Sequence, residues 1–82
     1  MPQYGNANYL IYRIIPNQAR ELVQPICIVD SVSQISNFIN SNFQPKERKY
    51  VHSFATKSTT FTDSIMSIKN LYRKHAINFQ FD

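Results

Sequence analysis

The pattern of apolar and polar positions is clearest in the last third of the chain. Within residues 58–75, a helical wheel gathers four apolar side chains into one narrow stripe: Phe61, Ile65, Ile68 and Tyr72. This period of 3.6 residues predicts an amphipathic helix that packs on one side against the rest of the protein. Thr60 stands three residues before Asp63, which is the spacing of an N-terminal capping box, and Thr62 is a second candidate cap.

The segments on either side of this helix alternate with a period of two, which predicts half-buried strands. Before the helix, the larger side chains of the alternating set are Tyr50, His52 and Phe54. After it, the apolar set is Ile77, Phe79 and Phe81. If these two strands are neighbours, the helix forms a right-handed crossover and the strands run parallel.

The first half of the chain begins with a β-branched and aromatic run, Tyr9 to Ile15, which ends at Pro16 and predicts a strand. Both faces of this strand are largely apolar, so we expect an interior strand or one covered on both sides. Residues 19–30 predict a second strand that is bent at Pro25 and pairs back as a hairpin. The alternative is one helical turn followed by a strand at 26–29.

A second helix is predicted at residues 31–42, where the apolar positions are Val32, Ile35, Phe38 and Ile39. Ser31 or Asp30 would cap it. The predicted order is β-β-α-β-α-β: an α+β two-layer sandwich with a four-stranded mixed sheet and two helices on one face. We expect a single domain at 9–82 after a flexible N-terminus at 1–8. The other sheet face would offer a contact surface with some of Tyr9, Ile11, Tyr50, His52, Asn78 and Gln80.

Composition narrows the possible functions of the 82-residue chain. The single glycine, Gly5, excludes the usual glycine-rich phosphate-binding loop. The single cysteine, Cys27, excludes an internal disulfide and gives no sign of an oxidising compartment. The sequence has neither the pattern of a signal peptide nor an apolar run that could span a membrane. We therefore expect a soluble intracellular, cytoplasmic protein, or one delivered into a cell, without a membrane partner.

Charge is distributed unevenly along the chain. The net charge is +4, and residues 46–82 carry all of this surplus because the first 45 residues are neutral overall. A one-sided basic half indicates an anionic partner, although a solvated face that keeps a small protein soluble is the alternative. The candidate binding residues combine cations with nearby rings: Lys46, Arg48, Lys49, Tyr50, His52, Lys69, Arg73 and Lys74. Such cations contact phosphates, and exposed rings stack on bases.

Catalytic chemistry has little support in the sequence. His52 and His75 would have to pair with a nearby Lys, Arg or Tyr for ribonuclease-type acid–base chemistry, and no carboxylate stands beside either of them. Two histidines and Cys27 lack the spacing of metal ligands, and Cys27 between two isoleucines is typical of an inert core thiol. We expect a non-enzymatic protein with no metal and no cofactor.

The C-terminal third resembles the closing strand–helix–strand pattern of AP2-type DNA-binding domains. The matching residues are Phe54, Thr56, Ala76, Asn78 and Phe79. The resemblance implies DNA recognition by the sheet rather than by the helix. It covers only this third, the helix lacks the alanines of the family, and the helix at 31–42 stands where that family has consecutive strands.

These observations lead to three hypotheses about function. The first is a small binding module whose basic C-terminal half engages nucleic acid or a nucleic-acid-handling complex. The second is an inhibitor that binds the surface of a protein target, such as a host or defence enzyme. The third is a small nuclease toxin that uses His52 or His75. A composition rich in Asn, Ser, Ile and Lys fits an AT-rich genome and an origin in a phage or mobile element.

Overall fold

The computed structural model describes residues 8–17, 19–75 and 77–81. It contains six main elements in the predicted β-β-α-β-α-β order: β1 (Asn8–Ile15), β2 (Glu21–Val29), α1 (Val32–Asn42), β3 (Val51–Thr56), α2 (Phe61–Lys74) and β4 (Phe79–Phe81). A short 3₁₀ turn, Arg48–Tyr50, precedes β3. The expectation of a flexible N-terminus concerns residues that lie outside the described part, apart from Asn8, which begins β1.

The four strands form one mixed sheet in the order β3-β1-β2-β4. β1 is antiparallel to both β2 and β3, whereas β2 and β4 are parallel. The α+β class and the four-stranded mixed sheet are therefore confirmed. β3 and β4 run in the same direction, but β1 and β2 lie between them. The two strands are therefore not neighbours in the sheet, which was the condition considered for them in the sequence.

The hairpin of β1 and β2 confirms the interpretation of residues 19–30 as a strand. Pro25 lies within β2 opposite Tyr12, and Cys27 lies opposite Ile11, so the register shifts by one residue at Ile26. Proline is tolerated in strands at bulges and at edges. Both conditions are met, because β4 pairs only with the first three residues of β2 and ends before Pro25.

The sheet and α2 form the two packed layers of the hydrophobic core. Its buried members come from three elements: Leu10, Val23, Ile68 and Tyr72. Four half-buried rings pack around them: Tyr12, Phe54, Phe79 and Phe81. The helical stripe predicted from sequence thus packs on the sheet through Ile68 and Tyr72, whereas Phe61 at the start of α2 is 37% exposed.

α1 covers the other side of β1. Ile11 is as completely buried as its neighbour Leu10, and successive side chains of a strand point to opposite faces. Ile11 and the apolar residues of α1 are absent from the cluster under α2, yet α1 lies against β1. α1 leads from β2 across the sheet to β3, and α2 leads from β3 back across it to β4, so the two connections run in opposite directions. Because both join strands of the same direction and such connections are right-handed, the two helices lie on opposite faces rather than together on one face as predicted.

The position of α1 changes the expected contact surface. Ile11 was predicted on the open face of the sheet, but it is fully buried, which confirms the expectation that β1 is covered on both sides. No residue of α1, all of which is described, is fully buried. α1 is therefore a partial cover, and α2 provides the main packing partner of the sheet.

Both helices begin at the predicted caps. The backbone N–H of Gln34 donates to the Ser31 hydroxyl at 3.3 Å, and the N–H of Asp63 donates to the Thr60 hydroxyl at 3.1 Å. These bonds satisfy donors that have no partner within the first turn of a helix. Asp63 in the first turn and Arg73 with Lys74 in the last turn also match the helix dipole.

The cap of α2 gives a direct test of this account. Thr60→Ala should lower the free energy of unfolding by about 0.5–2 kcal/mol, because the Asp63 N–H loses its acceptor. Urea denaturation monitored by circular dichroism measures the change. Thr62→Ala is the matched control, because Thr62 is exposed within the first turn and is not the cap. Equal losses in the two variants would contradict the assignment of Thr60 as the cap.

Candidate functional site

The candidate residues form two groups in the fold. One group surrounds the start of β3: Lys46, Arg48, Lys49, Tyr50 and His52. The other lies on the second half of α2: Lys69, Arg73 and Lys74. β3 is one edge of the sheet and β4 is the other. Because Lys69 contacts β4 and the last turn of α2 leads into it, the two groups lie towards opposite edges of the sheet.

Arg48 has a structural role in the first group. Its guanidinium donates to the Phe43 carbonyl at 3.2 Å and to the Asn40 carbonyl at 3.3 Å. Carbonyl groups at the end of a helix lack intrahelical partners, so Arg48 ties the end of α1 to the turn before β3. The half-buried Arg48 is the candidate cation least able to reach a partner.

Lys46, Lys49 and Tyr50 are exposed beside this anchor. The Lys49 ammonium lies 5.1 Å from the centre of the Tyr50 ring, which is a cation–π contact. Tyr50 belongs to the 3₁₀ turn rather than to the predicted strand, and its N–H donates to the Glu47 carbonyl at 3.1 Å. The group thus presents two exposed cations and one exposed ring at the point where the chain enters β3.

His52 is the first candidate residue within β3, and it is exposed. Its ring stacks on Tyr12 of the adjacent strand, with a centroid distance of 5.6 Å and an interplanar angle of 26°. His52 and Tyr12 are cross-strand partners, which explains the contact. The Tyr12 side chain in turn forms a hydrogen bond with Tyr72 of α2.

This contact extends into an aromatic row that crosses the sheet, formed by His52, Tyr12, Tyr72, Phe79 and Phe81. Tyr72 meets Phe79 edge-on with a centroid distance of 5.1 Å and Phe81 with one of 6.1 Å. The Lys69 ammonium lies 5.2 Å from the centre of the Phe81 ring. The aromatic row therefore connects the exposed His52 at one edge of the sheet to Lys69 at the other.

Burial governs the chemistry of the two tyrosines in this row. Removal from water raises the pKa of Tyr72, and its charge interaction and hydrogen bond with Tyr12 raise that pKa further. Burial also raises the pKa of Tyr12, while the hydrogen bond from Tyr72 opposes this rise. Both hydroxyls stay neutral at physiological pH. Their role is therefore to fix the rings by hydrogen bonding.

Tyr12 is the member of the site that the sequence did not identify. Its position in the first strand was predicted, but its partners come from β3 and α2, which are far away along the chain. The alternation of Leu10 and Tyr12 on one face was the available signal. It places Tyr12 on the side that α2 covers.

The remaining candidates for catalysis or metal binding stay apart. His75 caps the C-terminus of α2, where its backbone N–H donates to the Leu71 carbonyl at 3.2 Å. Burial raises the pKa of the half-buried Cys27 thiol, which disfavours the reactive thiolate. Among the described residues, no three side chains of His, Cys, Asp or Glu form a group that could hold a metal ion.

Two shallow clefts lie beside α1, and none of the candidate basic residues lines either of them. One, of about 200 Å³, is lined by Asn8, Ile28, Val29, Asp30, Gln34 and Thr59. The other, of about 420 Å³, is lined by Val29, Gln34, Asn37, Phe38, Ser41 and Asn42. Small-molecule sites usually enclose most of their ligand, whereas both clefts are open to solvent. The exposed basic groups are therefore the better candidates for function.

No family model, curated protein or solved structure matches this chain. The resemblance to AP2-type domains therefore gains no support, and the parallel pairing of β4 with β2 sets the observed sheet apart from a meander of consecutive strands. Within the described part of the chain, no helix is long and apolar enough to cross a membrane. The function must be inferred from the site itself.

Proposed function

We propose that this protein is a non-enzymatic binding module whose basic half engages nucleic acid, either directly or within a nucleic-acid-handling complex. The observation that carries the proposal is the confinement of the whole +4 surplus to residues 46–82. Cations that neutralise phosphates release condensed counterions, which drives association with any nucleic acid. Four cations of this half that lie in the two groups are exposed: Lys46, Lys49, Arg73 and Lys74.

The rings near the start of β3 give the proposal its second support. Tyr50 is 36% exposed, and the exposed His52 is held in place by stacking on Tyr12. Exposed rings next to cations are typical of surfaces that stack on unpaired bases while lysines contact the backbone. In this proposal Lys46 and Lys49 bind phosphates, Tyr50 and His52 contact bases, and Arg48 holds the turn in place.

The α2 group has a different part in the proposed function. Arg73 and Lys74 are exposed at the end of the helix and would make a second set of phosphate contacts. Lys69 is half-buried over Phe81 and has less freedom to reach a partner. Phosphate contacts set position without reading sequence, so we expect weak sequence preference.

Replacing Lys46 and Lys49 by alanine tests the first group. If both contact phosphates, the slope of log K against log salt should fall in magnitude by about two on duplex DNA. The affinity should fall for all sequences alike. Fluorescence anisotropy with labelled duplex and single-stranded oligonucleotides, measured over a range of salt concentrations, gives the slopes.

Arg20→Ala is the control, because Arg20 is exposed but lies in the neutral half of the chain. It should leave the salt slope unchanged. An unchanged slope in the double variant would remove Lys46 and Lys49 from the interface. If the wild-type protein binds no nucleic acid at low salt, where electrostatic attraction is strongest, the proposed function is wrong.

A further inference from the structure

β3 leaves one of its two edges open. It pairs with β1 over its full length, from Val51 to Thr56, without a register shift. Within the described residues, no strand lies on its other side. The backbone N–H of Val51 donates to the Arg48 carbonyl of the preceding turn, and apart from the pairing with β1 no backbone hydrogen bond is found for His52–Thr56. Backbone N–H and C=O groups along this edge are therefore available to pair with another extended chain.

The open edge carries none of the features that usually protect such strands. Proteins block exposed edges with charged residues, proline, bulges or very short strands. Val51–Thr56 contains no charge and no proline, and its pairing is regular. The opposite edge strand, β4, has only three residues and is in this sense protected. The contrast marks the β3 edge as a site for strand addition.

Charge around the β3 edge identifies the kind of chain that fits. The exposed Lys46 and Lys49 precede the strand and the exposed Lys57 follows it. No acidic residue occurs between Glu47 and Asp63. A strand added to this edge would therefore find cations at both of its ends, which favours acidic side chains at those positions.

A second copy of this chain fits the edge less well. Antiparallel pairing of two β3 strands would bring Lys49 of each copy next to Lys57 of the other, with like charges at both ends. We propose that the free edge of β3 binds an extended acidic segment of a partner protein by strand addition. This activity goes beyond the proposed binding of nucleic acid and rests on backbone pairing rather than on phosphate contacts.

Amide hydrogen exchange of the full chain tests the proposal. The probe is a ten-residue peptide in which valine alternates with aspartate, and a peptide with lysine in place of aspartate is its charge control. The acidic peptide should slow exchange at the outward-facing amides of His52–Thr56 by at least about tenfold, and the basic peptide should not. Two-dimensional NMR assigns the protected amides to β3 or to other elements.

Two comparisons separate strand pairing from simple charge attraction. N-methylation of four central residues removes donors from both edges of the acidic peptide while keeping its charge, and it should weaken binding by at least about tenfold. Lys57→Ala should weaken binding of the unmodified peptide by about twofold to fivefold. Lys74→Ala removes the same charge at the far end of α2 and should leave this affinity unchanged.

Three results would overturn the proposal. If the N-methylated peptide bound as tightly as the unmodified acidic peptide, charge attraction alone would account for the binding. Dimerisation in analytical ultracentrifugation, with the β3 amides protected in the absence of peptide, would assign the edge to a second copy. Protection of the same amides by a thymidine 12-mer, to the same extent as by the acidic peptide, would assign the edge to nucleic acid.

Discussion

Ile68→Ala should lower the free energy of unfolding by about 2–5 kcal/mol. Ile68 has no exposed surface and belongs to the buried cluster that joins α2 to Leu10 and Val23. Truncation removes apolar contacts from both layers of the core and leaves a cavity that the sheet can only partly fill. In a domain of this size a loss in that range is a large share of the total stability.

Met66→Ala provides the matched control for this prediction. Met66 lies on the solvent side of the same helix and is 52% exposed, so its truncation should change stability by less than about 0.5 kcal/mol. Both variants gain a residue of high helix propensity, which leaves burial as the main difference. Chemical denaturation followed at two wavelengths measures both values. If the two variants have equal stability, α2 packs through a different face.

Periodicity was sufficient to predict α2 but not the depth of each residue. The stripe contained Ile68 and Tyr72, which are buried, and Phe61, which is 37% exposed because it lies in the first turn. Ser64 is fully buried instead. Its hydroxyl donates to the Thr60 carbonyl at 2.8 Å, so a small polar residue meets the sheet without an unpaired group. A hydropathy pattern cannot show that a buried polar side chain has a hydrogen-bond partner within its own helix.

The order of the strands lay beyond what local patterns record. Each strand was found near its observed position, because alternation and turn residues are local signals. Pairing is a relation between distant segments, and nothing in Val51–Thr56 or Phe79–Phe81 specifies that two strands separate them. The same limit applies to Ile11: its apolar character indicated burial, but not that α1 would be the element lying on its side of β1.

The distribution of charge in the candidate site could be predicted from the sequence, but the contacts that each of its side chains makes could not. The surplus of cations after residue 45 is a property of the sequence alone. Arg48 appeared equivalent to Lys49, yet its fork of donors binds two carbonyls at the end of α1, a geometry that lysine cannot reproduce. The stacking of His52 on Tyr12 likewise depends on strand register.

Alkaline pH should destabilise this protein through its aromatic row. Burial raises the pKa of Tyr72 above its usual value, as it does that of Tyr12, whereas both ionise near pH 10 in the unfolded chain. Their contribution to stability is therefore complete below about pH 10 and is lost as pH rises towards the native pKa values. Each tyrosine should lower the free energy of unfolding by up to about 1.4 kcal/mol per pH unit in this window.

Tyr72→Phe isolates this effect from the lysines that titrate in the same range. At pH 7 the variant should be less stable than the wild type by about 0.5–1.5 kcal/mol, because the hydrogen bond to Tyr12 is lost. Phenylalanine does not ionise, so the variant should lose less stability above pH 10. The plots of unfolding free energy against pH for the wild type and the variant should therefore cross at about pH 11. Urea denaturation at intervals between pH 7 and pH 12 measures both curves. Parallel curves over this range would contradict the prediction, because they would mean that Tyr72 ionises at the same pH in the native and the unfolded chain. The prediction rests on the burial of Tyr72, which is 6% exposed.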